Sequence, residues 1–404
     1  MKVIHNIYKL GQASFGVGEV VRSLAKAQAR DLNVAVVSQD GSEEAFLEEL
    51  AAGIRLYRLG PHGFARLGFH PGYFANPLLR GYEIVHQHSS WTANSLFSIL
   101  ASFTGSKVIY TPHGTFAEEA RRKSRLKKFA ALLLYEKWVL SRSSVIQALS
   151  RRELTDLRRA GLQKPIAVIP NGVDSHTIER PVAKTAFRER FNLPPDKQVL
   201  LFLSRINPIK GIDLLLPLLA DNNTFRTSWV LVLAGPSEPT FQKQLEEIIQ
   251  SHKLQDHVIF TGPLYGEEKL DAYDGCDAFV LPSRSEAMPM VVLEAMARRK
   301  PVLVTNVTPL EELEQENAGI RTGLSIRERA KGLETLMALN AQELQDMGER
   351  GYQVVASKYR WEHICTMTQE LYAWLLDRRR PQPPFVYASS ENSIENTFLA
   401  NNHT

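Results

Sequence analysis

Eleven short apolar runs punctuate this chain. VIHNIY, LNVAVVS, YEIVHQH, KVIYTPHG, SVIQALS and PIAVIPNG precede residue 175, and QVLLFLS, WVLVLAG, HVIFTG, DAFVLPS and KPVLVTN follow it. They do not alternate apolar and polar residues with period two, the mark of a strand with one wet face. They therefore predict strands buried on both faces, hence parallel sheets with helices packed on each side. Helix-patterned segments lie between most of them. Eleven strands are more than one doubly wound sheet usually holds, so the pattern predicts two Rossmann-like domains.

The break falls after Asp174. Residues 1–174 form the expected first domain and 196–360 the second, with a polar, proline-bearing linker at 175–195 (Pro181, Pro194, Pro195). A last helix near Trp361 to Asp377, within 361–380, is expected to cross back onto the first domain. From Pro381 the sequence PQPPFVYASSENSIENTFLANNHT reads as a disordered tail, 381–404.

Composition fits this picture. The chain has 404 residues, 44% hydrophobic and 23% charged, the range of soluble proteins with a large core. Its two cysteines, Cys276 and Cys365, have no metal-like spacing, which suggests a reduced, cytoplasmic setting. The first residues lack the apolar core and cleavage site of a signal peptide. The greasiest stretch, Phe129 to Leu140, is broken by Glu136 and Lys137 and is too short to span a bilayer. Residues 1–175 carry 23 basic and 14 acidic side chains, whereas the remainder carries 25 and 30. The excess is densest at Arg121, Arg122, Lys123, Arg125, Lys127 and Lys128. That cluster suits an anionic acceptor, a lipid phosphate or the inner face of a membrane, or equally a solvated helix face. No aromatic-interleaved motif accompanies it, which argues against nucleic acid as a partner.

The most telling stretch is PSRSEAMPMVVLEAMA, Pro282 to Ala297. A buried strand ends at Pro282 and a loop follows. Pro289 suits the first position of the next helix, so Glu286 sits before that helix and Glu294 on its second turn. A helix start attracts phosphate, and a carboxylate on either side can take hydroxyls. A sugar nucleotide has that shape. Two other segments carry candidate chemistry. Arg205 and Lys210, in SRINPIKG, follow a strand at the sheet's carboxyl edge, with Pro208 expected to keep the segment out of helix. Gly16 and Gly18 lie between a strand and a helix expected to open near Glu19.

SRINPIKG (Ser204 to Gly211), the pair Glu286 and Glu294, PNGVD (Pro170 to Asp174), TPHG (Thr111 to Gly114) and FGVGEVVRSLA (Phe15 to Ala25) occur in one order. In this the chain resembles the retaining glycosyltransferases of family four across roughly residues 1–375. The resemblance implies an α/β fold of GT-B type, two Rossmann-like parallel-sheet domains facing across a cleft that holds the active site. It implies that Arg205 and Lys210 neutralise the donor diphosphate as charge accumulates on the leaving group. It implies that Glu286 holds the donor sugar's hydroxyls, that Glu294 accepts the ribose hydroxyls and that His113 contacts the sugar near its reacting carbon. By the same resemblance Asn171, Gly235, Leu264, Tyr265 and the backbone at Met288, Pro289 and Met290 border the donor, with Gly16 and Gly18 opposite. Two departures stand out: Ile209 replaces a further lysine, and Ala-Met-Pro replaces Gly-Phe-Gly after Glu286. His86 and His88, at another strand end, suit packing or acceptor shaping.

The expected activity is transfer of a hexose from a UDP- or GDP-sugar to a saccharide or lipid-linked acceptor, with retention and without a metal. The sequence contains no Asp-x-Asp and no cofactor-lysine motif. Two alternatives stay open. One is a GT-B-like epimerase or phosphorylase, the other a non-catalytic protein docking anionic lipid through Arg121 to Lys128.

Overall fold

The computed structural model describes residues 1–11, 16–39, 53–59, 70–74, 81–88, 90–117 and 135–388. The basic cluster at 121–128 and the tail beyond 388 lie outside them. The chain divides into two compact units, Met1–Gly172 with the segment from Trp361 onward, and Val173–Arg360.

The first unit is built on an eight-stranded sheet. Its strands are β1 (Lys2–Asn6), β2 (Asn33–Ser38), β3 (Arg55–Arg58), β4 (Ile84–Gln87), β5 (Lys107–Tyr110), β6 (Val145–Ala148), β7 (Ile166–Val168) and β14 (Val386–Tyr387). They run in the order β14-β7-β6-β5-β4-β1-β2-β3. All pairings are parallel except β14 on β7, which is antiparallel. The central strands are buried as the apolar runs require, with Val3, Ile4, Val85, Val108 and Ile146 fully covered.

The second unit holds β8 (Gln198–Leu203), β9 (Trp229–Ala234), β10 (Val258–Gly262), β11 (Ala278–Leu281), β12 (Val302–Thr305) and β13 (Gly319–Thr322). Their order, β10-β9-β8-β11-β12-β13, is fully parallel. The order reverses between β8 and β11, so the connections from these neighbours lead to opposite sides of the sheet. Open parallel sheets bind ligands at such a switch point. The first sheet has an equivalent reversal between β1 and β4.

Three expectations are corrected here. The segment 175–195 is no free linker: helices Ser175–Glu179 and Lys184–Arg190 bury Ile178 and Phe187 in the second unit. The tail expectation fails at its start, because β14 extends the sheet and the Arg158 guanidinium donates to the carbonyls of Tyr387 and Ala388. The helix expected near Glu19 spans Gly16–Gln28, so Gly16 and Gly18 lie in its first turn rather than in a loop. A Cβ at Gly16 would meet nothing within 4 Å, so its geometry does not demand glycine. The last helix, Trp361–Leu376, packs in the first unit, where Tyr372 is fully buried. Among the described residues no helix is long and apolar enough to cross a membrane.

Candidate functional site

The two loops at the β8/β11 switch point are stapled to each other. After β8, Asn207 caps a single 3-10 turn, Pro208–Lys210, by accepting from the Ile209 N–H at 3.2 Å. Pro208 thus opens this turn, contrary to the expectation that it blocks helix, because its fixed φ suits a first helical position. The turn ends at Gly211, whose φ is +73° and where a Cβ would lie 2.2 Å from the Pro282 carbonyl oxygen. Only glycine permits that approach. The neighbouring loop is fixed in return. Arg329 donates to the Pro282 carbonyl at 2.6 Å and Thr305 Oγ1 to the Ser283 carbonyl at 2.6 Å. Arg284 grips Asp213 through two bonds of 2.9 and 2.6 Å and also reaches the Pro208 carbonyl.

These staples bring two of the expected residues into contact. Lys210 Nζ lies 2.5 Å from Glu286 Oε1, and Ser283 Oγ donates to the same oxygen at 2.6 Å. Both charged side chains are about nine-tenths buried, with 11% and 9% exposed. Such a pair persists only with good geometry and further hydrogen bonds, and the Ser283 hydroxyl supplies one. Arg205 is exposed on the same loop as Lys210.

Glu294 is on the helix Met290–Ala297. Pro289 caps that helix from outside, with an extended ψ of 105°, rather than occupying its first turn as expected. Lys269 Nζ donates to Glu294 Oε1 at 2.7 Å and the Tyr273 hydroxyl to Oε2 at 2.8 Å. Burial beside this carboxylate pushes the Tyr273 hydroxyl well above its ordinary pKa, so it stays a donor. An ionised carboxylate has about four acceptor sites, and the two donors leave one on each oxygen. Lys269 and Tyr273 belong to the helix Gly266–Gly275, which begins after the buried Leu264 and the half-exposed Tyr265. Met288 and Pro289 are buried and Met290 is half-buried. Gly235 follows β9, in the second unit.

The remaining expected residues, Gly16, Gly18, Asn171 and His113, lie in the first unit. His113 follows β5 with a left-handed φ of +51°. The next N–H, of Gly114, donates to Glu153, which also accepts from Leu149 N at 2.7 Å. Burial raises the Glu153 pKa to about 7 against those bonds. His113 Nε2 meets His88 Nδ1 at 3.2 Å, His88 Nε2 meets His5 Nδ1 at 2.9 Å, and His5 Nε2 meets Gln28 Oε1 at 2.8 Å. His86 bonds Tyr372 and Thr111, each at 2.8 Å. Burial lowers His5 and His113 to about 4 and takes His86 and His88 well below the ordinary range. All four rings are therefore neutral near pH 7.

Nitrogens of His5, His86 and His88 lie within 4.8 Å of one another. Yet His86 and His88 are stacked at 4.0 Å and 26°, so their in-plane lone pairs run side by side rather than converging on one ion. The arrangement is a hydrogen-bonded chain.

Sequence reasoning placed Lys210, Glu286, Glu294 and His113 but missed Ser283, Arg284, Asp213, Lys269, Tyr273 and Arg329. Ser283 and Arg284 stand inside the Pro282 to Ala297 stretch but offer no chemistry on their own, the other four stand in no motif, and the partners are up to 76 positions away.

Two family models match consecutive halves of the chain: "Glycosyltransferase Family 4" over residues 16–177 and "Glycosyl transferases group 1" over residues 183–354. A D-inositol 3-phosphate glycosyltransferase of Kineococcus radiotolerans is 31% identical over 60% of the chain, which spans 59% of that relative's length. One of Xylanimonas cellulosilytica is 28% identical over 74% of this chain and 73% of its own. Among solved structures, HepE of Anabaena in complex with UDP and glucose has a TM-score of 0.75 at 20% identity, covering 92% of this chain and 99% of that one. Sucrose-phosphate synthase of Thermosynechococcus elongatus has a TM-score of 0.74 at 21% identity, covering 94% and 100%.

Proposed function

The chain belongs to the family-four, group 1 glycosyltransferases of GT-B architecture, and we propose that it moves a hexose from a nucleotide-diphosphate sugar to a saccharide or lipid-linked acceptor with retention. The observation that carries this reading is the held orientation of Glu294. Lys269 and Tyr273 fix its carboxylate while leaving one acceptor site on each oxygen, which suits two adjacent ribose hydroxyls.

The other residues follow from the chemistry. A diphosphate leaving group gains negative charge as the glycosidic bond breaks, and a preset cation lowers that barrier. Lys210 is such a cation, held in place by Glu286, and Arg205 on the same loop adds a second charge. With these two cations we propose no metal requirement. Glu286 has an oxygen beyond the one that Lys210 and Ser283 engage, and that oxygen accepts from the donor sugar's hydroxyls. The leaving phosphate takes the acceptor's proton at the front face, so the step needs no enzyme nucleophile. The relative solved with UDP and glucose favours a UDP-sugar donor. The relatives named for D-inositol 3-phosphate make a phosphorylated polyol the first acceptor to assay.

Titration calorimetry with UDP and GDP, followed by acceptor-dependent release of nucleotide from their sugars, tests this reading. Each bond from a charged group contributes about 1.5–3 kcal/mol. Glu294→Ala and Lys210→Ala therefore weaken nucleotide binding roughly 10- to 100-fold. Folded variants that bind both nucleotides as the parent does would remove the site. Nucleotide release that ignores added acceptor would favour an epimerase or phosphorylase.

A further inference from the structure

The histidine chain behind His113 has a direction. Gln28 Oε1 can only accept, so His5 Nε2, 2.8 Å away, must carry the proton. A neutral imidazole has one N–H, which leaves His5 Nδ1 as the acceptor for His88 Nε2–H at 2.9 Å. His88 Nδ1 then accepts from His113 Nε2–H at 3.2 Å. Gln28 keeps its orientation because its amide nitrogen donates to the Tyr372 hydroxyl at 3.1 Å. Tyr372 donates in turn to His86 Nδ1, and His86 Nε2–H donates to Thr111 Oγ1. Each imidazole on this path has both nitrogens satisfied except the last: His113 Nδ1 has no hydrogen-bond partner among the described residues.

We propose that Gln28, His5 and His88 are positioning residues that fix the proton of His113 on Nε2, so that Nδ1 accepts a hydrogen bond from a sugar hydroxyl. The inference rests on the transferase reading for the hydroxyl and on geometry alone for the relay. The backbone supports the same purpose. A left-handed histidine costs roughly 1 kcal/mol and persists only where its surroundings over-determine it. Here His88 fixes the ring and Glu153 fixes the following N–H. Packing alone would not require this set, since a phenylalanine at 88 would preserve the ring stacked on His86.

The test is long-range nitrogen NMR on the full chain with labelled histidine, beside kinetics with the sugar nucleotide that the parent turns over. The parent should show His113 as the Nε2–H tautomer alone. His88→Phe keeps the ring stack and should leave His113 as a mixture of tautomers. Its kcat should fall about tenfold with KM for the donor nearly unchanged, and in a His113→Ala background it should cost nothing further. Should His88→Phe not fold, His5→Phe breaks the same relay one member earlier. A proton found on His113 Nδ1 would mean that the chain runs the other way, which overturns the proposal, as would an unaltered tautomer in the variants. Absence of turnover would defeat the transferase reading while leaving the spectrum to decide the relay.

Discussion

At the scale of single residues, the second unit depends on close backbone approaches that a side chain would obstruct. Gly235 has φ +140°, and a Cβ there would lie 1.9 Å from the Ser204 carbonyl oxygen. Gly235→Ala should therefore destabilise this unit by about 3 kcal/mol and lower its Tm by roughly 10 °C, readable by calorimetry. At about 2–4 °C per kcal/mol, a Tm within about 2 °C of the parent would show that the loop after β8 can yield. Residues of this kind were legible only in part. Lys210, Glu286 and Glu294 stand in motifs whose chemistry reads directly. Their holders do not, because Lys269 reaches Glu294 across 25 positions and Arg329 reaches Pro282 across 47. His86, His88 and His113 were legible one by one as strand-end residues, whereas His5, inside the run VIHNIY, was not singled out. Their joining depends on β1 and β4 lying side by side in register, with His5 opposite His86.

At the scale of elements, the eleven apolar runs all became strands, ten of them central and dry on both faces and one, β10, a half-buried edge. The three strands missed are edges. β3 is RLYR, β13 is GIRT and β14 has two residues, so none offers an apolar run to read. The helices at 175–190 escaped for a related reason, since each buries a single large apolar side chain, Ile178 or Phe187. β14 makes its own prediction. A chain ending at Arg380 loses the pairing with β7 and the two carbonyls that Arg158 engages. Relative to a chain ending at Ala388, it should be about 2 kcal/mol less stable to urea, at about 1 kcal/mol for each lost hydrogen bond after partial replacement by water. Equal midpoints for the two truncations would show that β14 contributes nothing.

At the scale of the whole molecule, buried titratable groups set how acid acts on the fold. Unfolded histidines take up protons near 6.5, whereas folded His5 and His113 do so only near 4, and His86 and His88 also lie well below 6.5. Stability from these four is full above pH 6.5 and is lost as pH falls toward 4. Glu136 and Glu153 act oppositely: burial raises both to about 7 from an ordinary 4.5, so acid favours their folded forms across that window. Four groups against two leave a net loss. The Tm of the first unit should be lower at pH 5 than at pH 7 by on the order of 5 °C, and a Tm that holds or rises would contradict the neutral histidine chain.

The second unit is one unbroken length of chain, and its two junctions are neighbours. Val173 N bonds the Tyr359 carbonyl at 2.6 Å, Val173 pairs with Arg360, and Gly172 has no room for a Cβ beside Trp361. In genetic terms the second unit is a cassette with a single seam. Recombination can exchange it whole, leaving the histidine-bearing half intact.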